Sequence, residues 1–226
     1  MITLEAIDLT KIYPHPVNSK INTPVLVGTS FTIDSNHITF LTGPSGSGKS
    51  TLLNIIRGTL TFDAGDIKFN NSSILLFNKR KKTQYLHKVQ LVNQFPRMNL
   101  DFDLTLRENM EFTIALKKEK TQSSESIDEI LDDLDIKNLQ RKELSTLSGG
   151  ELQRAAIGNV LLTEPDILLL DEPTSQLDRK NSILIRDLLI KITEEKEMII
   201  LFATHDKSLI MKENLLELEK GRILTN

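Results

Sequence analysis

The sequence predicts an α/β fold with a mainly parallel core. Three observations lead to this prediction. An apolar run at residues 38–41 is followed by a glycine-rich loop and then by a helical pattern, the order of a strand–loop–helix unit. Two wholly apolar runs, at residues 167–170 and 198–203, are typical of parallel strands buried on both faces. Residues 104–142 carry helical patterns without strand signals, which predicts a helical subdomain inserted into the core.

The N-terminal part of the chain is predicted to be rich in strands. Residues 2–9 alternate partly between apolar and polar side chains and predict an edge strand. Residues 24–33 predict a second strand, and residues 67–69 a third one after the first helix. Residues 88–92 predict the strand that leads to Gln94. The basic run at residues 79–82 is predicted to be a solvated loop, with contact to anionic lipid headgroups as the alternative.

Residues 43–51 fit the pattern G-x-x-x-x-G-K-[ST], the P-loop that binds a nucleoside triphosphate. Its glycines let the backbone turn, so that several N–H groups point into one hollow at the start of the next helix. Lys49 would reach the β- and γ-phosphates, and the Ser50 hydroxyl would bind Mg²⁺. The residues predicted to hold the nucleotide are Gly43, Pro44, Ser45, Gly46, Ser47, Gly48, Lys49, Ser50 and Thr51.

Two helices of the second half have recognisable starts. Ser126 and Glu129 form the S-x-x-E pattern of a capping box. Ser148 precedes Gly149 and Gly150 at the start of another helix. Unpaired backbone N–H groups at that start would form a second anion site.

Two carboxylates and a histidine follow the buried strands. Residues 167–170 lead into Asp171 and Glu172, and residues 198–203 lead into Thr204 and His205. The carboxyl ends of parallel strands are where open α/β sheets bind ligands. The sequence therefore predicts these side chains close to the P-loop.

Composition excludes several kinds of protein. The 226 residues carry a net charge of −3, so no general basic field attracts nucleic acid. The absence of cysteine excludes disulfides and thiolate metal sites. No signal peptide is recognisable at the N-terminus, and the longest apolar run, residues 198–203, is far shorter than the ~20 residues that span a bilayer. Any role at a membrane is therefore expected to depend on a partner.

The order of these motifs resembles the nucleotide-binding subunit of an ATP-binding cassette (ABC) transporter over essentially the whole chain. Residues 43–51 resemble the Walker A motif, and residues 168–172 resemble the Walker B strand with its adjoining glutamate. Residues 147–153 match the signature motif, which other P-loop ATPases lack. The remaining motifs are an A-loop aromatic at Tyr13, a Q-loop glutamine at Gln94, a D-loop at residues 175–178 and an H-loop histidine at His205.

The resemblance implies an α/β P-loop NTPase core with a mainly parallel sheet, an N-terminal antiparallel β subdomain and an inserted α-helical subdomain. A single ABC ATPase domain would cover residues 1–226. The core with its β subdomain would occupy residues 1–94 and 163–226, and the helical subdomain with the signature would occupy residues 95–162. Residues 99–100, 104–109 and 171–174 resemble the lipoprotein-release and macrolide-export branch of the family.

The resemblance also implies an ATPase that uses ATP and Mg²⁺. The catalytic residues would be Lys49, Gln94, Glu172 and His205, with Glu172 as the general base or water-orienting group. The Mg²⁺ ligands would be Ser50, Gln94 and Asp171. Tyr13 would stack on adenine, and a packing role is the alternative for a single loop aromatic. The nucleotide-binding set would also include Ser148, Gly149, Gly150 and Asp178.

The partners that the resemblance implies are a second copy of the chain and an integral membrane permease. The signature residues would complete the ATP site of the other copy in a head-to-tail homodimer, with a heterodimer as the alternative. Phe95, Pro96 and Met98 are candidates for a groove that grips the permease, and ordinary loop packing is the alternative. No nucleic acid partner is expected. The protein would be cytoplasmic and peripheral on the inner face of the cell membrane.

Function is then expected to be ATP-driven export or extraction through a separate permease. A mechanotransmission complex that moves no solute is one alternative, and a non-transport ABC ATPase acting on DNA or ribosomes is another. The chain also departs from the family pattern. Asn93 replaces an aromatic residue, Gly158 and Asn159 replace alanine and arginine in the signature helix, and Gln176 is unusual in the D-loop.

Overall fold

The computed structural model describes residues 1–14, 22–35, 37–117, 126–211 and 214–224. The strands in these ranges are β1 (Thr3–Pro14), β2 (Asn22–Asp34), β3 (Ile38–Thr42), β4 (Ala64–Phe69), β5 (Ser72–Ser73), β6 (Val89–Val92), β7 (Ile167–Asp171), β8 (Ile199–Ala203), β9 (Leu215–Glu219) and β10 (Arg222–Leu224). The α-helices are α1 (Lys49–Ile56), α2 (Lys79–Lys88), α3 (Leu106–Leu116), α4 (Ile127–Asp133), α5 (Gly149–Leu161) and α6 (Arg179–Glu195). None of the described helices combines the length and the apolar content that crossing a bilayer requires.

The smaller sheet is antiparallel and has the strand order β2-β1-β4-β5. β1 pairs with β2 on one side and with β4 on the other. The expectation that residues 2–9 form an edge strand is therefore wrong. Leu4 and Ala6 point into the core while their neighbours are partly exposed. An interior strand of a sheet with one solvated face alternates in the same way as an edge strand, so the pattern could not separate the two.

The larger sheet is mainly parallel and has the strand order β10-β9-β3-β8-β7-β6. All neighbouring pairs in it are parallel except β9 with β10. β7 lies between β6 and β8, as its continuous apolar run predicts. The carboxyl ends of β3, β6, β7 and β8 consequently meet at one edge of this sheet.

Successive residues of the parallel strands belong to two different hydrophobic clusters. Leu168 and Leu170 pack in a cluster with α3 to α6. Ile167 and Leu169 pack in the other cluster, with α1 and the antiparallel sheet. The parallel sheet is therefore covered on both faces, which holds the ends of its strands in fixed positions.

The basic run at residues 79–82 forms the first turn of α2, so the predicted loop is wrong. The side chain of Asn78 accepts a hydrogen bond from the Lys81 N–H and caps the helix. Tyr85 holds the helix on the core, because its ring is buried and its hydroxyl donates to the Ile56 carbonyl at 2.6 Å. Lysine and arginine are good helix formers, and this one anchoring ring supplies the tertiary contact that their charge pattern does not reveal.

Gly158 lies where the signature helix α5 packs against α3 and α4. A Cβ atom at this position would lie 2.5 Å from Leu134 Cδ1 and 3.0 Å from Met110 Cε. The glycine lowers the intrinsic stability of the helix by about 1 kcal/mol relative to alanine. In return it allows a close approach of three helices, which accounts for the departure from the family pattern at this position. The predicted capping box at Ser126 and Glu129 is present.

Candidate functional site

The glycine-rich loop begins where β3 ends and leads directly into α1. It is enclosed by both sheets, because a Cβ atom on Gly43 would lie 2.2 Å from the Leu218 carbonyl oxygen of β9. A Cβ atom on Gly48 would lie 3.0 Å from the Val25 carbonyl oxygen of β2. Gly48 also has a φ of 107°, in the region that favours glycine. Only glycine fits these two positions without moving the surrounding backbone.

The N-terminus of α1 differs from those of the other helices. It has no capping side chain, whereas each of the other five α-helices in the described ranges starts with a side-chain acceptor, namely Asn78, Thr105, Ser126, Ser148 and Asp178. The buried hydroxyl of Ser47 has no hydrogen-bond partner among the described residues. A helix N-terminus without a cap and an unpaired donor beside it fit a polyphosphate, which accepts hydrogen bonds from both.

Lys49 lies in the interior of this site with only 6% of its surface exposed. Its ammonium group donates to the carbonyl oxygens of Gly43 at 2.9 Å and Pro44 at 3.3 Å. It also lies 3.5 Å from Glu172 Oε1. The lysine therefore folds back over the loop and bridges it to the end of β7.

Glu172 joins three elements of the site. Its Oε2 atom lies 3.0 Å from His205 Nδ1, and its backbone N–H donates to the Ala203 carbonyl of β8 at 3.0 Å. Its φ of 48° places a long side chain in the left-handed region, a conformation that costs free energy and must be held by its surroundings. Lys49, Glu172 and His205 thus form one continuous line of contacts, as their positions after β3, β7 and β8 predict.

Asp171 ends β7 and is partly buried. Burial raises the pKa of its carboxyl group, and the neighbouring charge of Glu172 raises it further. The Ser50 hydroxyl, which bonds to the carboxylate, and the ammonium group of Lys49 lower the pKa and partly offset this rise. Ser50 and Asp171, two of the three ligands predicted for Mg²⁺, are therefore neighbours, and their oxygen atoms suit this ion.

Gln94 follows β6 and donates from its side-chain amide to Ser175 Oγ at 3.0 Å. Ser175, in the D-loop, was not predicted as a site residue. Thr204 was not predicted either, although its backbone N–H donates to Leu41 at the end of β3. Its hydroxyl accepts from the Asp206 N–H at 3.0 Å. A single short polar side chain carries no signal of its own within or beside a motif, so only the fold reveals the hydrogen bonds of Ser175 and Thr204.

The signature residues do not leave the start of α5 as open as expected. The hydroxyl and the backbone N–H of Ser148 both donate to Glu151 Oε2 at 2.7 Å, in a capping box. These bonds lower the pKa of the Glu151 carboxyl group. The predicted unpaired N-terminus is wrong for the N–H groups of Ser148 and Glu151, because Glu151, the fifth residue of the motif, reaches back to Ser148.

The signature lies against α6. The nearest side chain to a Cβ atom on Gly149 would be Leu177, and on Gly150 it would be Asn181. Asp178 caps α6 by accepting from the Asn181 N–H at 2.9 Å, and its pKa is lowered by this bond. The P-loop glycines, by contrast, contact β2 and β9. Among the described residues the structure therefore groups the signature with the D-loop.

Tyr13 lies near the end of β1 with 37% of its surface exposed. The Lys11 ammonium group lies 5.5 Å from the centroid of its ring. Lys11 pairs across the sheet with Leu26, whose side chain contacts Gly48. The aromatic ring is thus carried by the β-hairpin that borders the P-loop.

Two departures from the family pattern are connected by hydrogen bonds. Asn93 donates from its backbone N–H to Asn99 Oδ1 at 2.9 Å, and the side chain of Asn159 donates to the Asn99 carbonyl at 3.2 Å. The Asn99 amide itself donates to the Leu91 carbonyl of β6 at 2.7 Å. Asn99 therefore links the residue before Gln94 to the signature helix.

These features define a P-loop nucleoside triphosphatase. Comparison with known families matches residues 26–175 to the family described as "ABC transporter". The lipoprotein-releasing system ATP-binding protein LolD of Buchnera aphidicola subsp. Schizaphis graminum is 35% identical, over 100% of this chain and 97% of its own length. The chain belongs to the ABC transporter family of ATP-binding proteins and is an ATPase that uses ATP and Mg²⁺.

Solved structures agree with this assignment. CbiO1 from Clostridium perfringens, described as part of the ABC transporter complex cbiONQ, is similar with a TM-score of 0.85 and 27% identity, over 98% of this chain and 86% of its own. The dimeric structure of MJ0796, described as a bacterial ABC transporter cassette, has a TM-score of 0.80 and 28% identity over 98% of this chain and 97% of its own. The predicted fold class is confirmed.

The raised pKa of Asp171 predicts a cost to stability. A folded-state pKa above the usual 3.8 means that the ionised carboxylate destabilises the nucleotide-free protein at neutral pH. Asp171→Asn should therefore raise the midpoint of urea unfolding at pH 7. The gain should shrink as the pH falls through the raised pKa, because the native carboxyl group is then protonated as well.

Asp187→Asn serves as the control, since this carboxylate is exposed and paired with Arg186 on α6. It should leave the midpoint nearly unchanged. A lower midpoint for Asp171→Asn than for the wild type at pH 7 would contradict the prediction.

Proposed function

We propose that two copies of this chain close on two ATP molecules and reopen after hydrolysis, and that this cycle drives a separate membrane permease in export or extraction. The observation that carries the proposal is the grouping of the site within one chain. The P-loop, Lys49 and Glu172 lie together, whereas Gly149 lies against Leu177 of the D-loop and Gly150 lies against Asn181 of α6. A signature held away from its own P-loop is available to the P-loop of another copy.

The roles of the residues follow from their contacts. Lys49 would exchange its carbonyl partners in the P-loop for the β- and γ-phosphates of ATP. Glu172 would accept a proton from the attacking water, whose oxygen bonds to the γ-phosphorus while the bond to ADP breaks. His205, which already contacts Glu172, would hold that carboxylate and the γ-phosphate in position. Mg²⁺, held by Ser50, Asp171 and Gln94, supplies charge neutralisation when bound.

The dimer is supported by the relatives as well as by the chain. The similar cassette MJ0796 is described as dimeric. Ser148 would turn its hydroxyl from Glu151 to the γ-phosphate bound by the partner. Because one chain carries both halves of the site, a symmetric homodimer would contain two complete sites. Tyr13 would stack on the adenine, and Asp178 would lie beside the partner's site.

Coupling to a permease is supported by exposed apolar side chains after Gln94. Phe95 is 51% exposed and Met98 is 71% exposed, on a short 3₁₀ turn that follows β6. Gln94 contacts Ser175 of the D-loop, so a shift at the nucleotide would move this turn. The turn would dock on a cytoplasmic segment of the permease, at the start of the helical subdomain proposed for residues 95–162. The protein would then act on the inner face of the membrane.

The direction of transport is proposed from the relatives. The chain matches 97% of the length of a protein named for lipoprotein release, whereas other relatives at 30–35% identity are named for import. It also carries the residues that resemble the lipoprotein-release and macrolide-export branch, including Asn99 and Asn109. Asn109 is buried and bonded to the Asp101 and Thr105 carbonyls, so it fixes the start of α3. Extraction or export is therefore the function that we propose.

Glu172→Gln tests the assignment of the base. A glutamine cannot accept a proton, so ATP hydrolysis should fall by at least ~100-fold. ATP binding should persist, and a dimer should appear in gel filtration with ATP and Mg²⁺. Glu219→Gln, at an exposed carboxylate at the end of β9, should hydrolyse ATP normally. Hydrolysis at the wild-type rate by the Glu172 variant would refute the assignment.

Mixing two inactive variants tests the shared site. Lys49→Ala disables a P-loop, and Ser148→Arg disables a signature. A heterodimer of the two has one site with both parts intact. Random pairing should therefore restore about a quarter of the wild-type ATPase activity. Absence of any restoration in a mixture that forms heterodimers would contradict the proposal, since it is the result expected when each chain completes its own site.

Phe95→Asp combined with Met98→Asp tests the permease contact. The pair should keep the ATPase activity of the isolated protein but lose an integral membrane protein that co-purifies with the wild type from detergent-solubilised membranes. Leu184→Asp, at an exposed leucine of α6, serves as the control and should retain it. Equal recovery with the double variant would place the contact elsewhere on the surface.

A further inference from the structure

A second exposed surface lies at the start of α2. Two neighbouring leucines precede the helix, with Leu75 61% exposed and Leu76 86% exposed. The first turn of the helix then presents four cations to solvent. We call this the α2 surface, and its residues are Leu75, Leu76, Lys79, Arg80, Lys81 and Lys82.

The four cations of the α2 surface are not neutralised by the protein. No described carboxylate lies within 4 Å of any of them, whereas Lys68, Lys137 and Lys191 are each ion-paired. They also lie at a helix N-terminus, where the helix dipole disfavours positive charge, and the first turn contains no acidic residue. The four positive charges therefore destabilise the start of α2 in the free protein, and a negatively charged partner would stabilise it.

The two leucines are exposed because the core below them is already filled. Phe77, the next residue, packs edge-to-face on Tyr85 with the ring centroids 6.0 Å apart. Phe69 packs on the same ring at 5.6 Å. Tyr85 is buried and bonded to Ile56. This aromatic cluster fixes the turn and the helix, and it leaves Leu75 and Leu76 on the outer side.

The α2 surface belongs to a helix that ends away from the P-loop. Lys88, at the end of α2, is paired with Asp166, which precedes β7. Tyr85 contacts the last residue of α1. Both neighbours lie at the amino edge of the parallel sheet, opposite the edge that carries the nucleotide site. Closure of a dimer over the nucleotides would therefore leave the Lys88 end of α2 uncovered, and the α2 surface begins the same helix.

We propose that the α2 surface binds anionic phospholipids. The cations would contact the headgroup phosphates, and Leu75 and Leu76 would enter the boundary between headgroups and acyl chains. Leucines beside a basic cluster have a use at a lipid surface that they lack on a nucleic acid backbone. The proposal takes from the proposed function only that the protein acts beside a membrane.

Flotation with lipid vesicles tests this proposal with the purified full chain and no permease. The protein should float with vesicles of phosphatidylcholine and phosphatidylglycerol, much less with phosphatidylcholine alone, and less as the salt concentration rises. Each cation near an anionic leaflet contributes roughly fivefold to partitioning. Changing Lys79, Arg80, Lys81 and Lys82 to Gln should therefore weaken binding by roughly 600-fold. Leu75→Ser with Leu76→Ser should weaken it at every salt concentration.

The control variant carries the same change of net charge elsewhere, with Lys68, Lys137, Lys191 and Lys220 changed to Gln. It should float like the wild type. ATPase activity, measured in parallel, should be unchanged in both charge variants, so a failure of lipid binding is separable from a failure of the proposed function. Equal flotation of the two charge variants would overturn the proposal. Tighter binding of the wild type to duplex DNA than to anionic vesicles would also overturn it. A variant of the α2 surface that no longer co-purifies with the permease but still floats with vesicles would do the same.

Discussion

The register of β3, β8 and β7 is the constraint on which the site depends. Leu41 lies beside Ala203, and Ala203 lies beside Asp171, so the three parallel strands end together. Two backbone bonds continue this register past the strands, from Glu172 to Ala203 and from Thr204 to Leu41. The P-loop, the carboxylates and the histidine are consequently delivered to one edge. A slip of one residue would move Glu172 by about 3.3 Å and turn every buried side chain of the strand to the other face.

This dependence explains why much of the site was predictable from the sequence. The apolar runs of β7 and β8 are buried on both faces and therefore have a strong signal, and the residues that follow them are fixed by the strand ends. The P-loop has a local pattern that fits few other structures, because Gly43 and Gly48 are the residue type that their close contacts allow. Lys49, Asp171, Glu172 and His205 could be located from these signals alone, while their catalytic roles stay predictions.

The features that the sequence did not reveal depend on contacts between distant segments. The helix α2 is held by Tyr85 on Ile56, and β1 is interior because β4 returns to its free side. Asn99 bonds to Leu91 of β6 and to Asn93, so it ties the end of this strand to the segment that follows Gln94. A polar residue in a loop has the same appearance in a sequence whether it faces water or completes such a bond. The position of a residue relative to the end of a strand therefore predicted its place at the site better than its residue type did.

Three unfavourable features of the nucleotide-free chain lie together at this edge. Glu172 is in a left-handed conformation, the buried Ser47 hydroxyl has no partner among the described residues, and burial disfavours the charge of Asp171. Mg-ATP would relieve the last two, since phosphate oxygens accept a hydrogen bond from Ser47 and a divalent cation stabilises the charge of Asp171. A ligand that binds only the folded state adds its binding free energy to stability. Nucleotide therefore stabilises this edge of the sheet most, because the unfavourable groups of the free protein lie there.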